Sequence, residues 1–225
     1  MFARPTAATM LISVHIPKTA GTAFGALLEA RFGARLLKDY EDHPLSHPPL
    51  RRITSSLGQL PLARRRLHGY DAVHGHFLAL KYLAARGDVV TWLRDPVQRA
   101  VSRYEHYRRD VVEGRPLQAA TGLKPGLTLE DFVEIPSFHN TYAKYFRGFP
   151  LHRVRCFGFS EDMAEGLGRM KRSLGLELGT AVRVNANPFK DEAHYEIPDT
   201  IQRRVIALNG ADYRLWQWAH EREGV

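Results

Sequence analysis

The chain has 225 residues, 44% hydrophobic and 25% charged, proportions that suit one domain over residues 1–225 and exclude a disordered or fibrous chain. No apolar run is long enough to span a bilayer, and Cys156, the one cysteine, excludes an intrachain disulfide. A formal charge of +8 suits an anionic partner, whether a nucleotide, an acidic glycan, a nucleic acid or a membrane surface. Residues 1–9 read as a loose leader with no signal peptide, so a reducing cytoplasm is the expected compartment.

The first element is an apolar, β-branched run over residues 11–16, which predicts a short buried strand. Pro17 ends it. Lys18, Thr19, Ala20, Gly21 and Thr22 make a small polar turn, and from Ala23 onward Phe24, Leu27, Leu28 and Phe32 fall at helical spacing. A helix start aims unpaired backbone N–H groups at such a loop. Gly21 lets an anion come close, Thr19 and Thr22 add hydroxyls, and Lys18 adds a full charge. The sum is a cradle for phosphate or sulfate. It is not the GxxxxGK[ST] nucleotide loop, because the lysine precedes the glycine. Taken alone, it reads equally as a plain strand–turn–helix connection.

Gly33 fits a helix stop, and residues 34–40 read as a short strand or an extended segment. Pro44, Pro48 and Pro49 argue against regular structure over residues 41–50, where His43 and His47 read as solvated. Residues 57–67 suggest a short helix broken near Pro61. Its Arg64, Arg65 and Arg66 are either a solvated face or a contact to an anionic acceptor. Residues 70–73 predict a strand leading into His74-Gly75-His76, where a histidine can face a cleft at the strand's carboxyl end. Metal ligation and structural hydrogen bonding are the other roles open to this pair. Residues 78–86 suggest a helix and residues 88–93 a further buried strand. Arg94 ends that strand, Asp95 suits an N-cap and Pro96 suits the first helical position. Arg94 can grip a phosphate with its planar fork, and Ser102 can add a hydroxyl from the helix.

Together, HIPKTAGT (residues 15–22), His74-Gly75-His76 and WLRDPVQRAVSRYEHY (residues 92–107) resemble the signatures of PAPS-dependent sulfotransferases. PAPS is 3′-phosphoadenosine 5′-phosphosulfate. The likeness is to the carbohydrate branch that includes the heparan sulfate (uronosyl) 2-O-sulfotransferases, and it lies within the first half of the chain. It implies an α/β, P-loop-like sulfotransferase fold with a central parallel sheet flanked by helices. It implies PAPS as cosubstrate, adenosine 3′,5′-bisphosphate as product, a carbohydrate hydroxyl as acceptor and no metal. By the same resemblance, Lys18 stabilises the bridging oxygen as the nucleotide leaves, and Thr19, Ala20, Gly21, Thr22 and Ala23 hold the 5′-phosphosulfate. Arg94 and Ser102 hold the 3′-phosphate, His76 is the general base and His74 contacts the acceptor. Lys190, in a polar stretch over residues 184–195, matches a loop lysine that covers the cofactor. An imidazole suits the base role, since its unperturbed pKa lies near neutrality.

In the second half, residues 112–127 are rich in Gly and Pro and read as a mobile loop. Thr128 suits a helix cap, Lys144 and Arg147 suit either substrate contact or helix packing, and residues 154–159 predict a strand. Ser160 is read as the cap of the helix that follows. Residues 198–209 and 212–222 predict two closing helices in which Trp216 and Trp218 pack inward. Two other functions fit parts of this pattern: a P-loop-like kinase or nucleotide hydrolase, and a non-catalytic polyanion-binding module. The alternation of strands and helices predicts an α/β fold under any of them.

Overall fold

A computed structural model describes residues 9–42, 47–179 and 194–225. The expected leader up to residue 8, His43 and Lys190 lie outside the described residues. Five strands, β1 (Met10–Val14), β2 (Leu36–Lys38), β3 (Ala72–Gly75), β4 (Gly87–Leu93) and β5 (Val154–Phe159), form one sheet in the order β2-β3-β1-β4-β5. Every pairing is parallel. A parallel sheet must be covered on both faces, and the sequence supplies apolar side chains for both. Along β1, Ile12 and Val14 enter one apolar cluster while Leu11 enters the other. Along β4, Val89 and Leu93 face the first cluster, and Val90 and Trp92 the second.

The helices are α1 (Gly21–Phe32), α2 (Pro49–Gln59), α3 (Ala63–Arg66), α4 (Pro96–Val112), α5 (Leu129–Val133), α6 (Thr141–Tyr145), α7 (Met163–Leu174), α8 (Asp199–Leu208) and α9 (Gly210–Glu223). Phe24 and Leu28 of α1 and Met170 of α7 cover one face. Tyr142 and Tyr145 of α6 and Leu215 and Ala219 of α9 cover the other. The expected α/β architecture, a central parallel sheet between helices, is therefore present. Trp216 and Trp218 pack against the second of these faces, as expected.

Several local expectations shift. The proline-rich stretch does not bar a helix: Pro49 occupies the first turn of α2, which starts before the expected helix and ends before Pro61. Residues 79–82 form a 3₁₀ turn where a longer helix was expected. The cap of α7 is Asp162, whose carboxylate accepts the Glu165 N–H at 2.9 Å, and not Ser160. The Gly/Pro-rich loop after α4 is anchored, because the Tyr107 hydroxyl donates to Lys124 O at 2.8 Å and accepts from Leu127 N–H at 2.9 Å. Asp95 and Thr128 cap α4 and α5 as the sequence predicts, Thr128 within a capping box with Asp131.

The topology decides where a ligand fits. The segments that leave β1 and β4 run in opposite directions across the sheet, toward β2 and toward β5. The carboxyl ends of these neighbouring strands therefore flank a switch point, the usual crevice of an open parallel sheet. Val14 of β1 pairs with Gly75 on one side and Thr91 on the other. The three sequence motifs thus leave the sheet side by side.

Candidate active site at the sheet's carboxyl edge

The loop after β1 is held open by its own backbone. Lys18 and Ala20 have φ of 69° and 64°, two of the three non-glycine residues with positive φ among the described residues. Each such conformation costs about 1–2 kcal/mol for an L-residue. Strain concentrated in one short loop directs attention to what the loop presents. It presents the first turn of α1, which no side chain caps. Gly21 is buried there, Ala20 and Ala23 are half-buried, and Thr22 is exposed. Thr19 is wholly buried, and its hydroxyl donates to Ile16 O at 2.9 Å. Its hydroxyl proton therefore closes the loop, a local use the sequence reading did not anticipate.

Behind the loop stands a stack of three histidines. The His15 ring centroid lies 4.9 Å from that of His74 and 4.3 Å from that of His76. Burial, then the charges of His76 and His74, push the His15 pKa down to about 2, so His15 is neutral. His74 is pushed down to about 4, chiefly by burial. Its Nδ1 lies 2.8 Å from Ser13 Oγ, and at 2% exposure it sits beneath the loop and not on the open cleft. His76 is only half-buried, and its Nδ1 lies 2.6 Å from the carbonyl oxygen of His15. A carbonyl can only accept, so Nδ1 carries the proton, and in the neutral ring the lone pair is on Nε2. Tyr40 completes the group, with its hydroxyl 3.1 Å from His15 Nδ1 and its ring edge-on to His76 at 4.9 Å.

This stack explains two glycines. A Cβ on Gly21 would meet His15 Cδ2 at 1.9 Å, and one on Gly25 would meet His74 Nε2 at 2.7 Å. Gly21→Ala should therefore destabilise the fold by about 1–3 kcal/mol through overpacking. Chemical denaturation would measure this, and adding His15→Ala should recover part of the loss in a double-mutant cycle.

The other wall of the crevice is Arg94 and the α4 face behind it. The Arg94 backbone is gripped on both sides: its N–H donates to the Tyr142 hydroxyl at 3.2 Å, and the same hydroxyl donates to its carbonyl. The next amide, Asp95 N–H, donates to Glu161 Oε1 at 2.8 Å. The Arg94 guanidinium lies 5.6 Å from the Tyr195 ring centroid, and Gln98 holds the Tyr195 backbone through bonds of 2.9 and 2.8 Å. Ser102 lies on α4 and is 7% exposed. Lys18 feels this wall directly. Burial, then the charges of Arg109, Arg103 and Arg94, pull its pKa down from 10.5 to about 8. Burial and the charge of Lys18 likewise lower His106 to about 4.

Arg103, His106 and Arg109 were not among the residues singled out in the sequence. They recur every three residues along one side of α4, and that spacing alone does not say what the side faces. Lys144 is turned elsewhere, donating to Pro136 O and Ser137 O at 3.0 and 2.6 Å. Among the described residues, no group of three His, Cys, Asp or Glu is placed to hold a metal ion.

No family model and no curated protein matches the chain. Among solved structures it is similar to a sulfotransferase from Alicyclobacillus acidocaldarius, at 16% identity and a TM-score of 0.46, with 96% of this chain and 97% of that chain covered.

Proposed function

We propose that the chain transfers a sulfuryl group from PAPS to an acceptor hydroxyl, with a carbohydrate as the acceptor class. One observation carries this reading. An uncapped helix start with Lys18, the Arg94 wall of α4, and His76 all stand at the carboxyl ends of three adjacent strands. Cationic groups and an imidazole at neighbouring strand ends support an anion site with a base beside it.

The residues fit a nucleotide with two separated anionic groups. Lys18 and the α1 backbone suit the 5′-phosphosulfate, and Arg94 with Ser102 suits the 3′-phosphate. The cations that lower the Lys18 pKa oppose one another until an anion offsets them, and Asp110 is the acid that acts against them at Lys18. In the proposed reaction the acceptor oxygen bonds to sulfur as the sulfur–oxygen bond to the 5′-phosphate breaks. The electron pair leaves with adenosine 3′,5′-bisphosphate, and the acceptor proton passes to His76 Nε2. Such a transfer needs mostly positioning and charge stabilisation. Lys18 supplies charge at the bridging oxygen. Gly21, Thr22 and Ala23 supply backbone N–H groups, while Thr19 fixes the loop's shape. His15 orients His76 through its carbonyl. We assign His74 to supporting this stack, since its burial suits that better than acceptor contact.

Arg94→Ala tests the cofactor side. It should weaken binding of adenosine 3′,5′-bisphosphate by about 10-fold or more, the worth of one charge-assisted contact, and leave adenosine 5′-monophosphate unchanged. Calorimetry reads both. Equal losses for the two nucleotides would remove Arg94 from the 3′-phosphate. Preference for ATP over a 3′-phosphorylated nucleotide would favour a kinase or hydrolase instead.

A further inference from the structure

We propose that the α2–α3 face docks onto the headgroup layer of an anionic lipid bilayer. This inference does not depend on the sulfuryl-transfer reading. Residues 47–70 contain five arginines and no Asp or Glu. The exposed leucines among the described residues, Leu50, Leu57 and Leu62, all stand in this stretch, at 73%, 47% and 55% exposure. Leu50 and Leu57 lie seven residues apart and so share one side of α2.

The helix is inverted relative to an ordinary surface helix. The residues it buries are Arg52 and Ser56, and Arg52 is tied down by Asp42 at 3.0 Å and by Lys144 O at 2.9 Å. A helix packed only for the fold would turn leucines inward and arginines out. Here a buried ion pair anchors the helix and the leucines face outward. Arg51 and Arg65 are exposed beside them, and neither side chain has a hydrogen bond or ion pair among the described residues. Exposed apolar side chains flanked by unpaired arginines suit the boundary between acyl chains and lipid phosphates.

A second feature agrees. A cavity of about 400 Å³ opens on this face, with apolar walls from Leu62, Ala63 and Tyr82 and cationic groups from Arg65, Arg66 and Lys81. Lys81 is already paired with the buried Asp39 at 2.6 Å, and Arg66 bonds Glu41 at 2.8 Å. Arg65 is thus the cation available to a phosphate there. A nucleic acid would use the arginines but leave the leucines idle, so the leucines favour lipid.

The test is co-flotation of the full chain with vesicles of phosphatidylcholine plus phosphatidylglycerol, against vesicles of phosphatidylcholine alone. Binding should need the anionic lipid. Leu50→Ser/Leu57→Ser/Leu62→Ser and, separately, Arg51→Ser/Arg65→Ser should each weaken it by about tenfold or more. Thermal unfolding should be unchanged in both, since all five side chains are exposed. No binding to either vesicle, wild-type binding by the leucine variant, or capture of an RNA oligonucleotide in place of vesicles would each overturn the proposal.

Discussion

His76→Ala is expected to lower turnover by about 10²- to 10⁴-fold, the usual worth of a positioned general base. Affinity for adenosine 3′,5′-bisphosphate should be nearly unchanged. The expectation rests on how the ring is held. The carbonyl of His15 fixes the proton on Nδ1, so the tautomer with a basic Nε2 is set before any acceptor arrives. His15 can do this because it is itself buried, neutral and packed against its neighbours. The proposed base, His76, is therefore oriented by a residue that does not titrate near neutral pH. Steady-state kinetics with calorimetry of the same variant separates the two effects. Wild-type turnover in the variant would end the base assignment. Lost nucleotide binding would instead give His76 a role in holding the loop.

Lys18→Ala should lower turnover by about 10²- to 10³-fold, as for the loss of one charge-stabilising group aimed at the reacting centre. The wild-type lysine should also show itself through pH. Its pKa near 8 means that the charge is present below that pH and fades above it. Donor affinity should thus fall as pH rises past 8, and Lys18→Arg should abolish that dependence, because arginine stays charged. Stability moves the opposite way. The unfolded lysine holds its proton up to about 10.4, so between the two values the unfolded chain binds more protons and folding gains with rising pH. A bound anion would raise the lysine's pKa and push the loss of charge upward. Opposite pH slopes for affinity and stability would be hard to obtain from a solvated surface lysine.

Sequence patterning marked β1, β3, β4 and β5, whereas the three-residue β2 read as either a strand or an extended segment. Residues 11–16, 88–93 and 154–159 are mostly apolar runs, which suit parallel strands covered on both faces. Asp95-Pro96 marked its helix start because cap chemistry is local. The reading failed where tertiary contacts decide. The prolines before α2 looked like breakers, yet one of them lies in its first turn. His15 fell inside the predicted strand over residues 11–16, and only the pairing of β1 with β3 brings it against His74 and His76. Gly21 looked like room for an anion, and its nearest constraint is the His15 ring. Arg103, His106 and Arg109 needed the placement of α4 beside the loop, which no spacing within α4 reveals.

The central claim is that the Lys18 loop and the Arg94 wall bind opposite ends of one 3′-phosphorylated nucleotide. Calorimetric titration of the wild-type chain with adenosine 3′,5′-bisphosphate, with adenosine 5′-monophosphate as the partner experiment, tests it most directly. Tight binding that requires the 3′-phosphate is the predicted result. Equal affinity for the two nucleotides, or no binding of either, would contradict it.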